Sequence, residues 1–269
     1  MNKQKEFNKI LKDIKSIKIQ GARAVALAGL KAYKLNPSKS SKKKITSLRP
    51  TEPFLINILN YENTLSPKEL IERLKQNQEI MNKEVFKLIK NGDAVFTHCH
   101  SSSVVNALIY CHKKKKRFEV YNTEARPLYQ GRITATQLKK AGIKVTMFID
   151  SAAGIVLEKE NKKDKIHADL VILGTDAILK NGVINKIGSG MFSEIAYDNK
   201  IPVYILADSL KYIPKIKLEQ RDFKEVWNTS RGIRIINPAF ELIDRKYITA
   251  IISEYGKLSY DKFLRKVRK

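Results

Sequence analysis

Cysteine is nearly absent from this chain of 269 residues: Cys99 and Cys111 are the two, and they form no CxxC pair. That scarcity excludes a disulfide scaffold and points to a reducing compartment, with the cytoplasm as the expected location. Long apolar runs are missing too. None approaches the roughly 20 residues that a membrane span needs, and the lysine-rich start has no signal-peptide core behind it. There is no GxGxxG fingerprint and no Walker sequence, so neither a dinucleotide site nor a nucleoside-triphosphate site is expected. Acidic residues are few, 27 against 52 lysines and arginines, for a net charge of +25. The lysines spread along the whole chain, with only small clusters at 42–44, 113–116 and 265–269. No zinc finger, basic zipper or RNA-binding aromatic motif accompanies them. They read as a solvated surface, with nucleic acid an unlikely partner, and the same field suits a phosphorylated small molecule.

What is present divides in two. Up to Asn91-Gly92 the pattern is helical: Phe7, Ile10, Leu11 and Ile14 recur at helical spacing, and 22–33 is an alanine-rich helix after Gln20-Gly21. The polar stretch 36–44 reads as an exposed loop, followed by helices at 52–60 and 66–90, the latter opening with Ser66-Pro67. Beyond Gly92, short apolar runs at 94–97, 118–121, 144–149, 170–173 and 203–206 alternate with helix candidates at 103–112, 134–141, 152–159, 189–199 and 217–227. A strand at 233–236 and a helix at 247–255 complete the expectation. Strand–helix alternation specifies an α/β fold with a parallel sheet covered on both faces, whose ligands sit beyond the carboxyl ends of the strands.

Cys99 is at such an end, between the run Ala94-Val95-Phe96-Thr97 and a serine-rich helix start, Ser101-Ser102-Ser103. A helix N-terminus offers unpaired N–H groups and a positive dipole end, which can lower a thiol pKa from about 8.5 and can hold a phosphate. Asp176 follows the run 169–175 and leaves it at the same edge. It is a candidate general acid or base, or, more blandly, a helix or turn cap. Asn185 and Lys186 precede a helix and offer an amide and an amine suited to phosphate or a developing oxyanion. Arg126 can bind phosphate or pair with Glu124 or Glu119. His98 and His100 flank Cys99, but no second ligand cluster supports a metal, and none is expected. Cys111 reads as a small buried apolar residue.

Taken in order, Thr97-His98-Cys99-His100-Ser101-Ser102, Thr123-Glu124-Ala125-Arg126-Pro127 with Gln130-Gly131, Asp150-Ser151-Ala152-Ala153, Gly174-Thr175-Asp176, Asn185-Lys186-Ile187-Gly188 and Ala207-Asp208-Ser209-Leu210-Lys211 resemble one superfamily. It holds ribose-1,5-bisphosphate isomerases, methylthioribose-1-phosphate isomerases and the α/β/δ regulatory subunits of translation initiation factor 2B. Arg49-Pro50-Thr51 and the segment 247–256 extend the resemblance over nearly the whole chain. It implies an N-terminal helical domain, residues 1–90, and a Rossmann-like α/β domain, residues 91–269, with a mainly parallel sheet.

The isomerases of this superfamily carry a Cys–Asp pair, which the regulatory subunits typically lack. Here Cys99 and Asp176 match that pair, and His-Ser-Ser after the cysteine resembles the ribose-1,5-bisphosphate enzymes. The implied reaction turns α-D-ribose 1,5-bisphosphate into D-ribulose 1,5-bisphosphate without a cofactor. Asp176 would open the ring and shuttle oxygen-bound protons, and Cys99, as thiolate, would take the C2 proton. The phosphates would fall to Ser101, Ser102, Ser103, Arg49 and Lys211, with Asn185 and Lys186 positioning the sugar. The first phosphate loop departs from the usual Arg-Gly-Ala-Gly, reading Gln20-Gly21-Ala22-Arg23, and the 176–185 spacing is one residue short. The resemblance implies a homo-oligomer, dimer or hexamer. The alternatives are a methylthioribose-1-phosphate isomerase and a non-catalytic subunit that binds a nucleotide or sugar phosphate.

Overall fold

The computed structural model describes residues 3–16, 18–19, 21–50, 52–60, 66–158, 166–218, 220–228 and 232–268; Gln20 and Thr51 lie outside the described residues. Helix α1 (Lys3–Lys15) buries Phe7, Leu11 and Ile14, one face at helical spacing. Helix α2 (Ala22–Leu35) follows Gly21, whose φ of 84° suits a residue without a Cβ. Residues 36–44 are not the expected loop, because α3 (Lys39–Ser47) starts within them. Ser38 caps its N-terminus by accepting from Ser41 N at 3.0 Å, and Ile45 anchors it in the core. One apolar anchor in a lysine-rich stretch leaves little periodicity to read.

Helix α4 (Pro53–Asn60) packs closely on α2, where a Cβ on Gly29 would lie 2.3 Å from Leu55 Cδ1. Helix α5 (Pro67–Leu88) begins with a capping box: Ser66 accepts from Glu69 N at 3.2 Å, and Ser66 N donates to Glu69 Oε2 at 2.7 Å. This helix serves both parts of the molecule. Leu70 and Leu74 join the helical core, whereas Met81 and Val85 join the core beside the sheet.

The rest of the chain runs β1 (Ala94–Thr97), α6 (Ser102–Lys113), β2 (Glu119–Thr123), α7 (Gln130–Lys140), β3 (Lys144–Phe148), α8 (Gly154–Leu157), β4 (Leu170–Leu173), β5 (Ala177–Ile178) and β6 (Gly182–Lys186). It continues through α9 (Ser189–Asp198), β7 (Val203–Leu206), β8 (Phe240–Asp244), β9 (Ala250–Ser253), β10 (Gly256–Leu258) and α10 (Tyr260–Val267). Among the described residues, seven strands form one sheet in the order β10-β9-β7-β4-β1-β2-β3, parallel except for the terminal β10. Alternate residues of each strand feed opposite faces: Phe96, Val171 and Ile205 join one core, and Val95, Ile172 and Leu206 the other. An N-terminal helical domain followed by a Rossmann-like domain is the architecture. From β1 the chain steps outward to β2 and β3, then crosses to β4, β7 and β9, so its winding reverses between β1 and β4. That reversal opens a crevice beyond the strand ends, the place where ligands bind in such sheets.

Three expectations late in the chain are corrected. Among the described residues of 217–227, the helical structure is limited to the 3₁₀ turn Phe223–Glu225. The strand expected at 233–236 is absent, and β8 forms a few residues later, pairing with β6 in a small antiparallel sheet with β5. Residues 247–255 are not helical: after the 3₁₀ turn Arg245–Tyr247 they form β9 and lead into β10. Among the described residues, no helix is long and apolar enough to cross a membrane.

Candidate active site

Strands β1 and β4 are neighbours, with Phe96 opposite Val171, so the residues leaving both strands emerge side by side. From β1 the chain passes through Cys99, whose φ of 65° is left-handed for a residue with a Cβ. That conformation costs roughly 1–2 kcal/mol and persists only where the surroundings hold it. Ser101 then caps α6, accepting from Val104 N at 3.5 Å. Its side chain lies against the end of β4: a Cβ on Gly174 would come within 2.4 Å of Ser101 Oγ. Glycine at 174 is thus what lets the α6 N-terminus close on β4.

Beyond Gly174, the Thr175 hydroxyl faces Ala177 O at 2.8 Å and Ile184 O at 2.5 Å, and Asp176 N donates to Ile184 O at 2.8 Å. The β5–β6 hairpin therefore fixes the Asp176 backbone and brings Asn185 and Lys186, both buried, to the same edge. Asn185 Nδ2 donates to Ser189 Oγ at 2.9 Å. Lys211 arrives from the turn after β7 and donates to Thr175 O at 2.5 Å. Asp208 holds that turn, accepting from Leu210 N at 2.9 Å and from Asn77 Nδ2 of α5 at 2.7 Å. Opposite, Arg49 pairs with the buried Glu52 at 3.1 Å.

These groups surround one cavity of about 710 Å³ between the helical part and the sheet. Cys99, Asp176, Gly21, Ala22, Arg23, Arg49, Ser101, Ser102, Ser103, Asn185, Lys186 and Lys211 all line it. The displaced arginine of the first loop, Arg23, is among them. The shortened 176–185 connection still brings Asp176, Asn185 and Lys186 to the same cavity.

The expected lowering of the Cys99 thiol is corrected. Burial pushes it up to about 11, against the pull of Lys186 and of a hydrogen bond from the His100 amide. Desolvation of a half-buried sulfur outweighs the helix end, so the resting thiol carries its proton at neutral pH. Burial lowers His98 to about 4, so it is neutral as well. Its Nε2 is 3.0 Å from Ile187 O, which can only accept; Nε2 therefore carries the proton, and Nδ1 accepts from Thr123 Oγ1 at 2.5 Å. Burial also lowers His100.

A family model for the initiation factor 2 subunit family matches residues 61–260. The chain belongs to that family. It is 32% identical to the ribose 1,5-bisphosphate isomerase of Methanocaldococcus jannaschii over 90% of this chain and 88% of that protein. It is 30% identical to the enzyme of the same name from Archaeoglobus fulgidus, over 91% of this chain and 87% of the other. In structure it is similar to the translation initiation factor eIF-2B of Pyrococcus horikoshii OT3, with a TM-score of 0.80, 26% identity, and coverage of 95% and 98% of the two chains.

In this member of the initiation factor 2 subunit family, several cavity residues escape a reading of the sequence. Glu52, Gln78 and Asp208 are buried polar groups: Glu52 pairs with Arg49 three residues before it, Gln78 donates to Ser103 O at 3.1 Å, and Asp208 accepts from Asn77. Gln130 lines the cavity with its Oε1 unpartnered, and its place beside Gly131 in the family resemblance was the available signal. Arg126 is not in the cavity wall and pairs with neither Glu124 nor Glu119. It donates to Tyr129 OH at 2.6 Å and Val226 O at 3.3 Å, while Arg132 takes Glu124. Cys111 is fully buried among apolar neighbours, as expected.

Proposed function

We propose that this protein is an aldose–ketose isomerase converting α-D-ribose 1,5-bisphosphate to D-ribulose 1,5-bisphosphate. The observation that supports the reading is that Cys99 and Asp176, which follow adjacent strands, line the same cavity as Arg23, Arg49, Lys186 and Lys211. Asp176, as the acid, gives a proton to the ring oxygen as the bond from that oxygen to C1 breaks. Cys99, as thiolate, takes the hydrogen from C2 and a C1–C2 enol forms. Asp176 then takes the proton of the C2 hydroxyl as the ketone forms, and Cys99 returns its proton to C1. C2 loses one proton to Cys99 and C1 gains one from it, while the ring oxygen gains the Asp176 proton and the C2 hydroxyl proton recharges Asp176, so no atom or electron is gained or lost.

A thiol near 11 must first lose its proton. In this reading the proton passes to the Asp176 carboxylate, which creates the acid and the base together, with Lys186 stabilising the thiolate and the charge that develops on the C2 oxygen. Ser101, Ser102 and Ser103 at the α6 N-terminus, with Arg49 and Lys211, hold the phosphates. Asn185 orients the sugar.

A second reading rests on the apolar part of the cavity wall, Leu27, Phe54, Leu74 and Met81. Such side chains suit a methylthio group better than a second phosphate, which favours methylthioribose 1-phosphate as substrate. The test is turnover of both sugars by purified protein. Faster turnover of ribose 1,5-bisphosphate supports the main reading; turnover of methylthioribose 1-phosphate alone reverses it. We infer also that the chain forms a homo-oligomer, supported by the exposed apolar Met147, Ile149 and Ile155 along and after the edge strand β3. Sedimentation at several concentrations tests this.

A further inference from the structure

Two histidines flank the left-handed Cys99, and their hydrogen bonds hold this point of the backbone from both sides. Thr134, buried on α7, donates its hydroxyl proton to Cys99 O at 2.8 Å. With that proton committed, Thr134 Oγ1 can only accept from His100 Nδ1, 3.0 Å away. His100 thus carries its proton on Nδ1, the opposite tautomer to His98. On the other side, His98 links β1 to Thr123 at the end of β2 and to Ile187 in the loop that follows Asn185 and Lys186.

We propose that Thr134, oriented by His100, is a positioning residue that keeps Cys99 left-handed and so turns the His100 amide onto the Cys99 sulfur. A non-glycine residue at this φ relaxes unless its peptide groups are held. The carbonyl of Cys99 and the amide of His100 belong to the same peptide unit, so fixing the carbonyl on Thr134 fixes the direction in which the amide points. That amide is one of the two influences that favour the thiolate, the other being Lys186. Neither Thr134 nor the His100 ring is needed to touch substrate for this effect. The inference rests on the isomerase reading only where turnover is measured; its first readout is the thiol itself.

The experiment follows alkylation of Cys99 by iodoacetamide from pH 7 to 10, resolved from the buried Cys111 by peptide mass spectrometry, alongside kcat and KM on ribose 1,5-bisphosphate. Thr134→Val keeps the volume and removes the hydroxyl. It is expected to slow alkylation about tenfold, as a thiol raised by about one pH unit would. It is also expected to lower kcat about tenfold, with KM changed less than about threefold. His100→Leu, at a half-buried position, is expected to slow alkylation about threefold, the smaller effect of losing orientation alone. Thr134→Ser and His100→Asn keep the donors and should restore both readouts. Wild-type alkylation profiles in both Thr134→Val and His100→Leu would overturn the proposal. If Thr134→Val fails to fold, His100→Leu and its asparagine counterpart decide alone. Slowed alkylation in a protein that turns over no sugar phosphate would sustain the positioning role while sinking the isomerase reading.

Discussion

The two walls of the cavity are built by different means. On the sheet side, Cys99, Ser101 and Asp176 emerge from adjacent parallel strands whose register and alternate burial leave little freedom. On the helical side, Gly21, Ala22, Arg23, Arg49, Glu52, Leu74 and Gln78 come from helix ends and faces. That wall is tied to the sheet by a few long-range amides: Asn77 reaches Asp208, and Asn57 reaches Leu210 O at 2.6 Å and Tyr212 O at 2.9 Å. The contrast suggests a division of labour. In the proposed reading the bond-making groups, with the α6 serines and Lys211, sit where the scaffold is least deformable, whereas Arg49 sits on a wall that can change without unfolding the sheet.

Changes to the sheet wall should break this contrast most sharply. Cys99→Ser and Asp176→Asn are each expected to lower kcat by about 10³-fold or more, since each removes a proton carrier. Isomerase assays on variants with unchanged circular dichroism check this. Gly174→Ala comes next. Its Cβ would sit 2.4 Å from Ser101 Oγ and 2.5 Å from Ser101 Cβ, so α6 must shift. A cost of about 1–3 kcal/mol in urea unfolding is expected, together with weaker phosphate affinity.

His98 makes the sheet wall sensitive to acid. Unfolded, it binds a proton near 6.5; folded, only near 4, so between those values the unfolded chain holds the extra proton. Its contribution is therefore complete above about pH 6.5 and lost as pH falls towards 4, by up to about 3 kcal/mol. His98→Gln keeps a donor for Ile187 O and should flatten the difference between urea midpoints at pH 7.5 and 4.5. The smallest effect belongs to the helical wall. Asn77→Ala leaves the Asp208 carboxylate without its amide and should cost about 1–2 kcal/mol. It should also raise KM several-fold while sparing kcat, whereas an equal loss in kcat would erase the distinction between the walls.

The same contrast governed what the sequence revealed. The runs at 94–97, 170–173 and 203–206 became β1, β4 and β7 with unchanged ends, because each is a short, wholly buried strand bounded by turns. Cys99 and Asp176 were legible because they leave such runs. The segment 247–255 misled for a related reason: Ala250, Ile251 and Ile252 are buried on both faces, and a continuous apolar run does not separate strand from helix. The β5–β6–β8 sheet was missed because β5 has two residues and β6 mixes polar with apolar ones. On the helical wall, nothing local in the sequence marks Glu52 and Gln78. Their burial depends on tertiary packing that no local pattern encodes. The thiol was misjudged because the helix end is local and visible, whereas desolvation by burial in the folded chain is not.

The most direct test runs the wild-type reaction on ribose 1,5-bisphosphate in D₂O and reads the C1 position of the product by NMR. A proton carried from C2 to C1 on the Cys99 sulfur exchanges with solvent, so ribulose 1,5-bisphosphate with deuterium at C1 is expected, and none from Cys99→Ser. Failure to form that product would contradict the account, as would product formed at full rate with only protium at C1.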